Sequence, residues 1–294
     1  MTRRFALLVN PSAAGGRALK VLGEVRAELD RLGAPSRVVE TRGLEHARTE
    51  AAAAVAEREI VGAVGGDGLV GQIAGALRHL DGALAVLPAG RGNDFARVLG
   101  IPSEPRAAAG VAVQGHERLV DVGLVDDAPY VGIASLGFDS EANRIANESK
   151  LIRGNLVYLY AALRALIAWK PATFEVAVDG QRHEMSGYSV AVANSKAYGG
   201  GMLLVPHAEL DDGALDVLMV HDHSKLKALR DLPKLFKGAH VDDPSKHFLR
   251  GREIAVSADR PFVVYADGDP IGELPVTVRV QPRCLRVVVP APSS

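Results

Sequence analysis

The sequence contains a single cysteine, Cys284, among its 294 residues. An intramolecular disulfide is therefore excluded, and so is a zinc site built from cysteine thiolates. The sequence also lacks an excess of positive charge, because 34 lysine and arginine residues stand against 35 acidic residues. A protein dedicated to nucleic-acid binding normally carries such an excess, so we expect no nucleic-acid partner. An anionic ligand must then be held locally, by backbone N–H groups, a few cations or a metal ion.

Long apolar runs are missing as well. The run Phe5–Val9 ends at Asn10-Pro11 and is too short for the core of a signal peptide. The apolar-rich stretch Leu151–Trp169 is interrupted by two arginines and an asparagine, so it does not have the pattern of a transmembrane helix. We therefore expect a cytoplasmic protein without a transmembrane segment.

The order of predicted elements divides the chain into two parts. In residues 1–121, short β-branched runs alternate with helical segments, which is typical of a parallel sheet covered by helices on both faces. Residues 122–281 instead contain consecutive strands, two of them joined by the turn Asp179-Gly180, which favours an antiparallel β-sandwich. We predict an N-terminal Rossmann-like parallel α/β domain and a C-terminal antiparallel β-sandwich domain, with a cleft between them. The last segment, 282–294, is a candidate to join the first domain.

Three glycine-rich loops follow predicted parallel strands. They are Asn10–Gly16, Gly65–Gly68 and Pro88–Asp94. Ligands of open α/β sheets bind at the carboxyl ends of the strands. Glycine there lets the backbone approach phosphate oxygens, and the following helix N-termini supply N–H donors. Three such loops at one sheet edge predict a site for a nucleotide or another anion.

Two common nucleotide-binding patterns do not explain these loops. The sequence has no Gly-Lys-Ser or Gly-Lys-Thr, which excludes a Walker-type phosphate loop. Gly66–Gly71 matches the dinucleotide fingerprint, but the next predicted strand ends at Pro88-Ala89, without a carboxylate for a ribose hydroxyl. Asp67 inside the loop would repel a pyrophosphate unless Mg²⁺ bridged the two, and that arrangement suits a kinase.

Taken together, the motifs resemble the catalytic domain of the bacterial diacylglycerol kinase family, which is related to sphingosine and ceramide kinases. Asn10-Pro11 with Gly15-Gly16, Val64–Gly68 and Leu87–Arg97 match that family in order and spacing. Tyr198–Gly201, Leu210–Gly213 and Asp267–Asp269 match later in the chain. The resemblance implies an ATP- and Mg²⁺-dependent lipid kinase that converts diacylglycerol to phosphatidic acid, in transient peripheral contact with a membrane.

The resemblance also implies roles for individual residues. It places the catalytic carboxylates at Asp267 and Asp269, without deciding which one is the base, and a phosphate or substrate contact at Arg97. It implies a structural magnesium site formed by the Asp212 carboxylate and the backbone carbonyls of Glu209 and Ala214. The implied nucleotide contacts form a larger set: Asn10, Thr41, Gly65, Gly66, Asp67, Gly68, Leu69, Gln72, Arg91, Asn93 and Asp94.

Several alternatives stay open at this point. Asp267-Gly268 and Asp212-Gly213 are turn signals in their own right. The acceptor is diacylglycerol or another lipid alcohol such as a sphingoid base, or NAD. Leu69, Gln72 and Arg91 replace polar residues usual in the family, so a non-catalytic nucleotide-binding regulator is a further alternative. A homodimer is an open alternative to a monomer.

The segment Lys225–Lys237 combines five cations with a leucine stripe at helical spacing. One interpretation is a helix lying on an anionic membrane surface. The other is a helix packed on the sandwich with its basic face in water.

Overall fold

The computed structural model describes residues 2–11, 16–149 and 156–292. The chain forms two compact units. Unit 1 consists of the residues up to Val122 together with those from Pro282 onward, and unit 2 is Gly123–Gln281.

Unit 1 begins with strands and helices in alternation. The strands are β1 (Phe5–Val9), β2 (Ser36–Glu40), β3 (Ile60–Gly65), β4 (Ala83–Pro88) and β5 (His116–Val125), the last of which continues into unit 2. The helices are α1 (Arg17–Arg31), α2 (Leu44–Ala56), α3 (Asp67–Leu77), α4 (Asp94–Val98) and α5 (Pro105–Gln114). The first four strands pair in parallel in the order β4-β3-β1-β2. Their carboxyl ends therefore lie at one edge of the sheet.

The sequence accounts for this layered arrangement. Strands β1 and β4 are buried along their whole length and consist of apolar residues with one proline, as expected for a sheet covered on both faces. Helix α1 buries Val21, Val25 and Leu29, which recur at helical spacing on one side.

Unit 2 is built mainly of antiparallel strands. They are β6 (Ala128–Tyr130), β7 (Ile133–Gly137), β8 (Ala172–Val178), β9 (Gln181–Ala193), β10 (Leu215–His221), β11 (Lys246–Gly251), β12 (Glu253–Ala258), β13 (Val263–Ala266), β14 (Asp269–Glu273) and β15 (Val276–Val289). Its helices are α6 (Phe138–Glu148), α7 (Leu156–Ala168) and α8 (Lys225–Leu235). The strand order is β14-β13-β7-β9-β8-β12-β15, and β10 joins β9 to β11. The core contains Phe174, Val190, Val217 and Ile254.

Strand β15 contributes to both units. Val276–Arg279 pairs antiparallel with β12, whereas Arg286 and Val287 pair in parallel with Ala83 and Leu84 of β4. The unit 1 sheet thus gains a strand from the end of the chain.

The predicted change from parallel α/β to antiparallel strands is confirmed, and so is the hairpin turn at Asp179-Gly180 between β8 and β9. Helix α5 and strands β5, β11 and β14 were not predicted. Among the described residues, no helix has the length and apolarity that crossing a membrane requires.

Candidate active site

Three helices of unit 1 begin at the glycine-rich loops. Helix α1 follows Gly16, α3 follows Gly66 and α4 follows Asn93, and none of these preceding residues makes a side-chain capping hydrogen bond. An uncapped N-terminus leaves backbone N–H donors and the positive end of the helix dipole available to an anion. Residues 12–15, which include Gly15, lie outside the described residues.

Glycine allows the second and third loops to pack backbone against backbone. A Cβ built on Gly90 would lie 2.4 Å from the Cα of Gly66, so a side chain there would force the loops apart. The Ala89 N–H donates to the Gly65 carbonyl at 2.8 Å. Asn93 has a left-handed φ of 52°, and its side chain accepts from the Gly90 N–H and donates to the Gly90 carbonyl. The loops after β3 and β4 therefore form one connected structure.

The carboxylates of Asp67 and Asp94 both lie next to Gly92. A Cβ built on Gly92 would lie 3.1 Å from a carboxylate oxygen of each. The Asp67 carboxylate accepts a hydrogen bond from the Phe95 N–H at 3.1 Å. Burial raises the pKa of the Asp67 carboxyl from 3.8 to about 6, and the charge of Asp94 adds to the shift. A divalent cation would relieve the repulsion between these two carboxylates, so this donor set fits Mg²⁺.

The other residues of the implied nucleotide set surround these loops. Thr41 follows β2, and its buried hydroxyl donates to the Val9 carbonyl at 3.1 Å, next to Asn10. On α3, the Leu69 side chain packs against Gly65, and the Gln72 side chain accepts a hydrogen bond from Arg48 at 2.7 Å. The Gln72 side-chain oxygen therefore already has a partner.

Arg91 in the third loop and Arg97 on α4 are both exposed. The Arg91 side chain makes no hydrogen bond or ion pair within the described residues. Arg97 donates to the Gly92 carbonyl and lies 3.9 Å from Asp94. Both cations stand at the edge of the sheet where an anion would bind.

In unit 2, Asp267 and Gly268 form a two-residue turn between β13 and β14. Both have positive φ, 53° and 94°, as this tight hairpin turn requires. The Asp267 carboxylate accepts hydrogen bonds from the N–H groups of Val131 and Gly132, each at 2.9 Å. A Cβ on Gly132 would lie 2.4 Å from a carboxylate oxygen, so this contact requires glycine. Asp267 thereby attaches the turn to the segment between β6 and β7.

Asp269 lies two residues further on and is in a different environment. Within the described ranges, its carboxylate has no hydrogen-bond or ion-pair partner, and burial raises its pKa above the ordinary value. A carboxylate with a raised pKa and no competing donor is suited to accept a proton. The two aspartates, which the sequence did not distinguish, thus differ in their contacts.

The implied magnesium turn is present as a loop before β10. The Asp212 carboxylate accepts from the Ala214 N–H at 3.1 Å and forms an ion pair with Arg250. Glu209 pairs through its side chain with Lys196 at 2.9 Å. A magnesium ion at Asp212 would have to compete with Arg250, so this turn fits Mg²⁺ less well than the Asp67–Asp94 pair does.

Unit 2 also contains an apolar cavity that sequence reasoning missed. Its volume is about 100 Å³, and α6, α7, α8 and three strands line it, mainly with aliphatic and aromatic side chains. Its polar wall residues are Asp139, Ser189, His223, Asp231 and Lys246. Burial raises the pKa of the Asp139 carboxyl to about 6 despite a hydrogen bond with Ser189. The signal in the sequence was an acidic residue two positions after the strand β7, but the cavity itself depends on elements far apart in the chain.

Comparison with known proteins agrees with these features. Residues 4–125 match the family model described as the diacylglycerol kinase catalytic domain, and residues 132–289 match that of the YegS C-terminal NAD kinase beta sandwich-like domain. A diacylglycerol kinase of Mycobacterium tuberculosis is 36% identical over 298 residues, which cover 98% of this chain and 95% of that protein. A diacylglycerol kinase of Bacillus subtilis is 28% identical over 98% of this chain and 97% of its own length.

A crystal structure of a diacylglycerol kinase from Bacillus anthracis has the same fold. It matches with a TM-score of 0.77 at 21% identity and covers 99% of this chain and 98% of its own. The chain therefore belongs to the diacylglycerol kinase family. It is a phosphotransferase, a lipid kinase of the diacylglycerol kinase and YegS type.

The raised pKa of Asp67 predicts a pH-dependent stability. Because the native state binds an additional proton between about pH 4 and pH 6, the free energy of unfolding falls as the pH rises through that window. Asp67→Asn removes the charge, so we expect the variant to exceed the wild type by about 1–3 kcal/mol at pH 7.5 and to match it near pH 4. Urea unfolding at both pH values measures this difference. The same difference in the free energy of unfolding between the two proteins at both pH values would contradict the expectation. Asp30→Asn, which changes an exposed aspartate, is the control.

The contact between Asp267 and the two N–H groups predicts a specific effect of Gly132→Ala. The added methyl group displaces the carboxylate and leaves two backbone donors unpaired, which should lower the free energy of unfolding by about 1–3 kcal/mol. Gly110→Ala on α5 is the matched control, since a Cβ there meets nothing within 4 Å. Urea unfolding followed by circular dichroism compares the two. Equal stability of Gly132→Ala and the wild type would show that the contact is unimportant.

Proposed function

We propose that the protein is a diacylglycerol kinase, which transfers the γ-phosphoryl group of Mg-ATP to the free hydroxyl of diacylglycerol and forms phosphatidic acid and ADP. The observation that carries this proposal is the pair of contrasting aspartates at the β13–β14 hairpin, one fixed by backbone N–H groups and one available as a base. The family membership and the apolar cavity of unit 2 support the choice of a lipid acceptor.

The nucleotide is assigned to the glycine-rich loops of unit 1. The N-termini of α1 and α3, which have no side-chain cap, supply N–H donors for its phosphates, whereas the Phe95 N–H of α4 already donates to Asp67. Asp67 and Asp94 would hold Mg²⁺, which when bound offsets negative charge on the phosphates. Arg97, exposed on α4, adds a cation to the same edge. Asn10, Thr41, Gly68, Leu69, Gln72 and Arg91 complete the proposed nucleotide site, and Asp212 with the carbonyls of Glu209 and Ala214 is proposed as a second magnesium site.

Asp269 is the proposed general base. The proton of the acceptor hydroxyl passes to its carboxylate as the hydroxyl oxygen forms a bond to the γ-phosphorus, and the bond from that phosphorus to the β–γ bridging oxygen breaks. Asp267 takes no proton in this scheme. Its carboxylate is held by Val131 and Gly132 and fixes the turn that carries Asp269.

The apolar cavity of unit 2 is the proposed site for part of the acyl chains. Aliphatic side chains from α7 and α8 form its wall, which suits hydrocarbon, and Asp139 supplies one polar group. A water-soluble acceptor such as NAD gains nothing from such a cavity. This favours a lipid alcohol over NAD as the acceptor.

Purified protein with radiolabelled ATP, Mg²⁺ and dispersed diacylglycerol should produce labelled phosphatidic acid. Asp269→Asn should lower turnover by at least about 100-fold, because it removes the proton acceptor, and leave ATP affinity nearly unchanged. Asp67→Asn should also lower turnover strongly, since it removes one proposed magnesium ligand.

The matched control is Asp127→Asn, which changes an exposed aspartate of unit 2 in the same way. Sphingosine and NAD, tested as acceptors under identical conditions, separate the related kinase activities. ATP binding by calorimetry without transfer to any acceptor would instead support a non-catalytic regulator. Full activity of Asp269→Asn would overturn the assignment of the base.

A further inference from the structure

Helix α8 holds a buried acidic side chain in a network of ion pairs. Asp231 is 4% exposed, and its carboxylate lies between Lys227 at 3.2 Å and Lys234 at 2.7 Å. Lys227 also binds Asp243, which lies 3.4 Å from the buried Lys246 of β11. This network of ion pairs fixes the orientation of the helix on unit 2.

Part of the apolar stripe of the same helix is exposed. Leu226 is 77% exposed, and Leu229 and Phe236 are 44% and 52% exposed, whereas Leu232 and Leu235 line the cavity. An amphipathic helix on a soluble protein normally buries its apolar stripe completely. On α8 part of the stripe remains in solvent.

Helix α7 continues the apolar surface. Its residue Ile167 is 79% exposed, and the Lys225 ammonium donates to the Ile167 carbonyl at 2.7 Å, which brings the end of α7 to the start of α8. We call the combined area the α7–α8 surface, formed by Tyr160, Leu163, Ile167, Leu226, Leu229 and Phe236. Of the ten large apolar side chains exposed among the described residues, these are six. Such clustering marks an interaction site, whereas single exposed leucines do not.

The exposed charges around this surface are mostly basic, with the partly exposed Glu141 near Arg164 as an acidic exception. Arg164, Lys170, Lys225, Arg230 and Lys237 are all exposed. Segment Leu156–Ala168 contains no acidic residue, and the one acid in Lys225–Leu235 is the buried Asp231. The nearest exposed acid before α8 is Asp222. Because the chain as a whole has a net charge of −1, this concentration of cations is local.

The geometry points to an anionic lipid bilayer as the occupant of the α7–α8 surface. Apolar side chains enter the interface between headgroups and acyl chains, and the surrounding cations contact anionic headgroups. A second copy of this chain would bring these cations against one another, which disfavours a dimer through this face. The inference rests on the proposed function in one respect: diacylglycerol resides in a bilayer, which is the reason for the protein to bind one.

The position of the cavity agrees with this orientation. Leu163 and Leu229 line the apolar cavity and are also partly exposed, so the cavity reaches the molecular surface within the α7–α8 surface. Docking there would place the cavity opening against the lipid.

Co-sedimentation of the full chain with vesicles tests the proposal. We expect at least about tenfold tighter binding to phosphatidylcholine vesicles that contain phosphatidylglycerol than to phosphatidylcholine alone, given about fivefold per cation near the surface. The double variant Ile167→Ser, Leu226→Ser should lose at least about tenfold in binding to the anionic vesicles. Arg230→Glu with Lys237→Glu should abolish the preference for them.

The matched controls lie on unit 1. Leu19→Ser with Leu44→Ser changes two exposed leucines, and Arg26→Glu reverses an exposed cation, so both variants should bind as the wild type does. Equal binding of the wild type to both vesicle types, or unchanged binding of the apolar double variant, would overturn the proposal. A change of oligomeric state in that variant, seen by sedimentation velocity, with vesicle binding retained, would assign the surface to a second copy instead.

A separate assay distinguishes this proposal from the proposed function. None of the substituted residues lines the cavity, so phosphorylation of a water-dispersed short-chain diacylglycerol should stay within about twofold of the wild type in every variant. Binding to anionic vesicles without kinase activity would contradict the proposed function alone. Kinase activity on the dispersed substrate without vesicle binding would contradict the α7–α8 surface alone.

Discussion

The proposed chemistry depends on one contact, between the Asp267 carboxylate and the backbone N–H groups of Val131 and Gly132. It joins residues 136 positions apart in the chain and is possible because Gly132 has no side chain. The contact fixes a tight turn in which Asp267 has a left-handed backbone conformation. It also occupies the Asp267 carboxylate, and the adjacent Asp269 is left as the carboxylate able to take a proton.

Three partly desolvated carboxylates share one physical feature. Burial raises the pKa of Asp67, Asp139 and Asp269, which means that each costs folding free energy when ionised. Under the proposed function, a ligand would offset that cost at each of them: the magnesium ion and phosphates at Asp67, the lipid at Asp139 and the acceptor hydroxyl at Asp269. The Asp231 carboxylate on α8 and the Asp243 carboxylate beside it are different, because each already forms an ion pair with a lysine of the same unit. Their role is to orient a helix.

The sequence was sufficient for the arrangement of loops in unit 1. Strand ends, glycines and Asp67 are local features, and parallel pairing places them at one edge without further information. The distinct roles of Asp267 and Asp269 could not be predicted, because they depend on a partner segment in another part of the chain. The orientation of α8 was equally hidden. A leucine stripe alone left two orientations open, and the ion pairs that orient the helix involve Asp243 and Lys246, which lie outside it.

The most direct test of the account is the pH dependence of turnover at saturating Mg-ATP and diacylglycerol, measured for the wild type and Asp269→Asn between about pH 5 and pH 9. A general base acts in its deprotonated form, so wild-type turnover should rise with pH through the raised pKa of Asp269 and then level off. The residual turnover of Asp269→Asn should lack this rise. The same rise in both proteins would show that another group, such as Asp67, controls the rise and would contradict the account.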